Sequence, residues 1–389
     1  MKKVAIWCAF FACLLLFLTP FCRAETGEED GAIDTEAAAI GAEWTAFRDA
    51  IPPEVAELLP DAFFSQEMAD AAGGIQEATA PQTVLSVVGR LTGLAIGENL
   101  ALLARICGIL VLSAVARAIG NGKEGGLSAV LSFCTTAAMV ICLFTLQRVR
   151  FSDISTYFKS MQGLCVAVLP LMGALYAMGG NVGAAVANHG MMSAFLTILE
   201  TMLSGTVLPV AGLCLALGLL DAVSGKVDLR SLSTLIKRTY TVCFSFLMLL
   251  LCGVLGIQST LAKGSDTLAL RTVRFAAGSF LPVVGGSVSE ALRTVAGSVS
   301  YLRSVTGAGA MVVLFFTFLP MFLSVLLNRI AFLLGGAVAK LLGCGGEEKV
   351  LSELASVYGY FLSVIASLFV TVVFSLTLFA HCGAAGGAL

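Results

Sequence analysis

Long apolar stretches separated by short polar ones fill most of the chain after residue 90. Runs near 99 to 120, 127 to 146, 164 to 186, 191 to 223, 242 to 261, 309 to 339 and 357 to 381 can each cross about 30 Å of hydrocarbon as helix. They predict an all-α polytopic integral membrane protein of about seven transmembrane helices. The 191 to 223 and 309 to 339 runs exceed what one crossing needs, so each is expected to tilt, to break, or to begin with a membrane-parallel lead-in. Pro209 and Pro320 lie inside those two runs, and Pro170 inside the third. In lipid a proline frees carbonyls that neighbouring helices or water must satisfy, which permits kinked spans or broken helices facing a cavity.

Residues 262 to 308, between the fifth and sixth runs, carry Gly, Ser, Pro and five bases and are too polar to cross. Val288, Ala291, Leu292, Val295, Val299 and Leu302 share one face at helical spacing, opposite Glu290, Arg293 and Ser300. That pattern predicts an amphipathic interfacial or re-entrant helix. Ala269-Leu270-Arg271-Thr272-Val273 recurs as Ala291-Leu292-Arg293-Thr294-Val295, either as stacked amphipathic helices or as coincidence in a low-diversity sequence.

Composition strengthens the membrane reading. The chain is 58% hydrophobic and 12% charged, with mean hydropathy +0.95, which excludes a soluble enzyme and a disordered chain. Charge is unevenly placed: residues 25 to 90 hold fourteen acids against Arg48 and Arg90, and residues 91 to 389 hold eighteen bases against eleven acids. Ahead of that acidic lead, Lys2 and Lys3, the apolar Val4 to Leu18 and Cys22-Arg23-Ala24 predict a cleaved signal peptide over 1 to 24. The rivals are a lipoprotein signal at Cys22, disfavoured by the preceding Phe21, and an uncleaved anchor, for which the apolar run is short. Residue 25 onward is therefore expected to start outside the cytoplasm.

The lead at 25 to 90 has no cysteine and is too polar for a large core. Pro52-Pro53 predicts a helix entry and Gly73-Gly74 a break, giving two or three short amphipathic helices. Such a lead is either an extracytoplasmic docking surface or a solvated leader. The polytopic domain follows over 91 to 389.

Orientation conflicts with seven spans. With an external start, Arg148, Arg150 and Lys159, then Lys226, Arg230, Lys237 and Arg238, fall in outside loops, against the positive-inside rule. The alternative is six spans, with Glu98 to Ile119 lying on or partly in the membrane, which moves those bases inside.

Forty-one glycines, several near run ends and on helix faces, favour close helix approach in a tight bundle or an oligomer. Ionisable groups within or beside runs are Arg105, Arg117, Glu200, Asp221 and Arg329, the last beside Asn328. Several can snorkel to the interface, which leaves Glu200 and Arg329 the stronger functional candidates. Glu200, Asn328, Arg329, Pro209 and Pro320 are thus the candidate conduit or packing residues. Gly120-Asn121-Gly122-Lys123-Glu124-Gly125 matches a dinucleotide fingerprint in letters but lacks the surrounding strand and βαβ unit. No phosphate loop is present, and with only His189 and His381 no zinc site or serine triad assembles. No catalytic, metal or cofactor site is expected. The nine cysteines after residue 24 fall mostly in apolar runs and act as small apolar residues. Basic clusters near 148 to 159 and 226 to 238 lack interleaved aromatics, fitting lipid contact or topology signals and not nucleic acid.

The order of features resembles one family. Pro170-Leu171-Met172-Gly173 and Leu208-Pro209-Val210 lie in spans, and Gly256-Ile257-Gln258 closes another. Asp266-Thr267-Leu268, Arg271-Thr272-Val273-Arg274 and Gly278-Ser279-Phe280-Leu281-Pro282-Val283-Val284-Gly285-Gly286 follow. From about residue 90 to the C-terminus the chain resembles the stage III sporulation protein AE family of endospore-forming bacteria, most specifically over Gly278 to Gly286. Gln258, Asp266, Arg271, Arg274, Gly278, Pro282 and Gly285 are the candidate motif residues. The resemblance implies a non-enzymatic membrane subunit of a secretion-like channel in the mother-cell membrane around the forespore, needed for late forespore gene expression. It implies other membrane subunits and a separate ATPase subunit as partners, besides the bilayer. A self-contained small-solute permease is the alternative, with Glu200, Arg329 and the proline-bearing runs lining its route.

Overall fold

The computed structural model describes residues 33–65, 68–120, 126–178, 182–224, 229–280 and 285–381. The signal peptide, residues 121–125 of the glycine loop, Pro282 and the side chains carrying the 288–302 amphipathic face lie outside the described residues.

The acidic lead forms α1 (Ile33–Asp49), α2 (Pro53–Ala56), a 3-10 turn (Asp61–Phe64) and α3 (Met68–Thr79). Pro53 opens α2 at a position where its missing N–H costs nothing. Gly73 and Gly74, expected to break the chain, instead lie inside α3. Gly74 is there for proximity: a Cβ would run into the backbone of Phe63, so glycine lets the 3-10 turn lie directly on α3. Trp44, Phe47, Ile51, Val55, Phe63 and Ile75 bury themselves between these short elements. Trp44 stands 5.6 Å from Phe47 and 5.9 Å from Phe63, ring centre to ring centre.

Seven longer helices follow: α4 (Pro81–Gly120), α5 (Gly126–Met178), α6 (Val182–Met202), α7 (Leu208–Ser224), α8 (Leu229–Phe280), α9 (Gly285–Leu341) and α10 (Gly345–His381). A single π turn, Leu203–Val207, joins α6 to α7. Six stretches are long and apolar enough to cross a membrane: Pro81–Ala118, Val130–Ala174, His189–Val223, Leu229–Val254, Val305–Leu341 and Gly345–Thr377.

Against the seven expected, six such stretches are found among the described residues. The second and third apolar runs belong to one continuous helix, α5. Residues 147 to 162 between them contain neither Gly nor Pro, so nothing stops the helix, and two of their charges, Arg150 and Asp153, find partners in place. Arg150 donates to Glu98 on α4 at 2.7 Å and lies 3.8 Å from Asp153, one turn along. The other six-span count, with Glu98 to Ile119 set aside as an interfacial helix, is also not the one found, since that segment lies inside α4.

Backbone from 262 to 280 continues α8, and from 285 to 308 it opens α9. With 53 residues, α5 is about 80 Å long, far beyond the hydrocarbon thickness of about 30 Å. Only part of such a helix fits within the thickness of a bilayer.

Exposure differs along the bundle. On α4, α5, α7, α8 and α9 large apolar side chains point outward, among them Leu112, Phe144, Leu220, Leu249 and Leu334. By contrast, Val305 to Leu319 on α9 is buried throughout. There the lead covers the helix, with Trp44 and Ile75 closing on Gly309. α9 and α10 are the most enclosed pair, with Phe318 stacked on Phe369 at 4.0 Å and the other long helices around them. Close approach uses small residues, as expected from the glycine count: a Cβ on Gly335 would lie 2.9 Å from Ile106 of α4.

The π turn precedes Pro209, whose ring would otherwise press on the carbonyl four residues back. Two tyrosines clamp it. Tyr360 of α10 donates to the Val207 carbonyl at 3.2 Å, and Tyr240 of α8 lies 2.5 Å from the Thr206 hydroxyl. The expected break in the 191 to 223 run is thus a single wide turn whose backbone a neighbouring helix satisfies. α9 and α5 pass through Pro320 and Pro170 without interruption.

Candidate functional site

Charged side chains gather where the C-terminal ends of α4, α7 and α9 meet the N-terminal ends of α5, α8 and α10. With α6 and α7 continuous through the π turn and counted as one, successive long helices therefore run antiparallel, and this is the basic end of the bundle. The turn from α9 to α10 sets the geometry. Gly343 has φ +71°, Cys344 N–H reaches the Ala339 carbonyl at 2.9 Å, and Gly343 N–H reaches Lys340 at 3.2 Å. This glycine-terminated cap ends α9 abruptly and drops α10 back along it.

Two carboxylates in the first turns of α10 then face inward. Glu347, fully buried, pairs with the Arg117 guanidinium of α4 and accepts from Thr135 of α5 at 2.8 Å. Arg117 also donates to the Gly343 carbonyl at 3.3 Å, tying the turn to α4. Burial, with Glu347 beside it, pushes the Cys344 thiol up, while Arg117 pulls the other way. The thiol stays protonated and apolar in behaviour.

Glu353, two turns on and 1% exposed, takes a 2.5 Å bond from Lys237 of α8 on Oε1. Ser233 Oγ lies 2.6 Å from the same oxygen and 3.1 Å from the Cys214 carbonyl, so its one proton is shared. Gly218 of α7 backs the glutamate stem, and any Cβ there would overlap it. Two further links close the same corner. Asp221 lies 3.5 Å from Lys349 and accepts from the Leu229 N–H at 3.1 Å, and Arg230 donates to Ser352 at 2.5 Å.

Through Glu347, Lys349, Ser352 and Glu353, one helix is tied by polar bonds to four others. Desolvated charges of this kind hold only when paired and bonded, which fixes the relative positions of the helices that carry them. Ser233 beside a lysine and a carboxylate has the residue types of a reacting centre, but the geometry is that of a support. Ser233 is fully buried, and Lys237 donates to Glu353. Among the described residues no group of three or more His, Cys, Asp or Glu could hold a metal ion.

The residues singled out from sequence lie elsewhere. Arg329 sits on α9, half-buried, its guanidinium against Gly359 of α10; a Cβ there would come within 3.0 Å of Cζ. Among the described residues no carboxylate comes within ion-pair distance of it. Asn328 beside it is buried and donates to the Ser324 carbonyl at 2.8 Å. Glu200 is exposed on α6, and no ion pair joins it to Arg329. Pro209 and Pro320 lie on α7 and α9. Gln258, Asp266, Arg271, Arg274 and Gly278 lie on α8, and Gly285 opens α9.

Sequence reasoning missed Glu347, Glu353 and Lys237. A signal was present: Glu347 falls in register with Val350, Leu351, Leu354 and Tyr358, and Glu353 with Val357, Tyr360 and Val364. An acid on an apolar helical face implies a buried partner.

Comparison with known proteins bears on the whole chain. Stage III sporulation protein AE of Bacillus subtilis (strain 168) is 23% identical over 226 residues, 58% of this chain and 56% of that protein. The chain thus matches little more than half the length of this curated relative. No solved structure matches it. The profile of Stage III sporulation protein AE matches residues 64–384, from the end of the lead through all six apolar helices, and the chain belongs to that family.

Proposed function

We propose that this protein is a multi-pass membrane subunit of a sporulation channel that links mother cell and forespore, and that its role is structural or conductive and not enzymatic. Family membership over 64–384 carries the reading. Six apolar helices provide the anchorage, and the four-way polar hub gives the rigidity a shared assembly needs. The partners are further membrane subunits and a separate ATPase, and the membrane is that of the mother cell around the forespore. The six-span count also supports an orientation. With the acidic lead outside, Arg117, Arg230, Lys237 and Arg238 all fall at the cytoplasmic end, in keeping with the positive-inside rule.

Deleting the gene in its host and imaging a fluorescent fusion tests the proposal. The expected result is arrest after engulfment, with the fusion gathered around the forespore. Normal spores and a fusion spread through growing cells would overturn it. The permease reading rests on Arg329, a charge within an apolar run that has no carboxylate at ion-pair distance among the described residues. Arg329→Leu is expected to abolish spore formation at unchanged protein level; full sporulation in that strain would remove Arg329 from the conduit.

A further inference from the structure

The first turns of α8 present an outward surface beside the polar hub, sharing with it only Arg230. Lys237 and Ser233 turn inward to Glu353, while Ser231, Thr234, Leu235 and Arg238 turn outward with Arg230 at their edge. These five line an open cavity of about 480 Å³. Among the described residues neither Arg230 nor Arg238 has a carboxylate within ion-pair distance. Arg230 is held in place by its bond to Ser352, which leaves its remaining donors available, and Asp221 is occupied by Lys349 and the Leu229 N–H. The cavity is thus positive, with two hydroxyls between its guanidinium groups.

Its position along α8 identifies the ligand. Following the exposed face at helical spacing gives Ser231, Leu235, Arg238, Val242, Phe246 and Leu249. Polarity ends at Arg238, and one turn later the face is apolar, with Val242, Phe246 and Leu249 each more than half exposed. A charged head above an outward apolar stripe, which runs about 11 Å from Val242 to Leu249, complements one molecule that is anionic at one end and apolar along the rest. We infer that Arg230 and Arg238 bind the headgroup phosphate of an anionic phospholipid whose acyl chains lie along Val242, Phe246 and Leu249. Guanidinium forks suit phosphate oxygens, and basic recesses at the cytoplasmic ends of spans are where anionic headgroups sit. This inference is independent of the proposed channel role.

Native mass spectrometry of the full chain in detergent, titrated with phosphatidylglycerol and separately with phosphatidylcholine, tests it. Phosphatidylglycerol is expected to bind more tightly, and Arg230→Gln/Arg238→Gln to weaken it roughly thirtyfold, from about two surface charges lost. Arg238→Gln alone, on an exposed side chain, should give part of that loss with the thermal midpoint unchanged. Arg148→Gln, an exposed arginine outside the cavity, should give none. Equal binding of the two lipids, or equal loss in Arg148→Gln, would overturn the site. Displacement of phosphatidylglycerol by millimolar inorganic phosphate would show a free-anion site and overturn the lipid assignment.

Discussion

Glu353→Leu is expected to destabilise the detergent-solubilised chain by about 3–5 kcal/mol, because it leaves Lys237 charged, buried and without its partner. Lys237→Met/Glu353→Leu, which removes both charges and keeps similar volume, should recover most of the loss. The measurement is the thermal midpoint by circular dichroism for the two single variants and the double. The non-additivity is the diagnostic part: residues joined in one polar network couple, whereas two independent packing defects would add. A double variant as unstable as the sum of its singles would show that the pair is not the unit that holds α8 to α10. Gly218 provides the matching constraint from α7, since its missing Cβ is what admits the glutamate stem.

The same residues show what the sequence reveals and what it hides. An all-helical membrane protein was legible because an apolar run of about twenty residues is the length of helix that a bilayer crossing demands. The span count was not, because hydropathy along one dimension treats a polar stretch as a loop. Residues 147 to 162 are polar yet helical, and Glu98, distant in sequence, is what compensates Arg150 there. Lack of Gly and Pro in that stretch was the available clue. The π turn at 203–207 was foreshadowed by Pro209 inside an overlong run, but the tyrosines that stabilise it come from α8 and α10.

Charges behave likewise. Arg329 and Glu200 drew attention by standing inside apolar runs, and no ion pair joins them. Glu347 and Glu353 stood just ahead of the last run and drew no attention, although their helical register with Leu354 and Val357 already marked them as buried. Partner identity was beyond reach, since Arg117 precedes Glu347 by 230 residues and Lys237 precedes Glu353 by 116.

Trp44→Ala should detach the lead while leaving the spans folded. The indole is 3% exposed, sits between Phe47 and Phe63, and reaches Gly309 on α9. Truncating such a ring costs about 3–5 kcal/mol, which a small polar lead without disulfides has little margin to absorb. The readout is trypsin cleavage after Arg48, whose guanidinium is held by the Ser65 carbonyl at 3.0 Å and lies over the Phe64 ring. Rapid cutting there with helix content and span protection preserved is the expected outcome; continued protection of Arg48 would refute it. Gly309→Leu separates docking from folding. It removes the recess on α9 but leaves the Trp44, Phe47 and Phe63 cluster intact, so a lead that folds on its own stays resistant at Arg48 even when displaced. If Gly309→Leu exposes Arg48 as fully as Trp44→Ala does, the lead depends on α9 for its fold, and its apolar face serves its own chain before any partner.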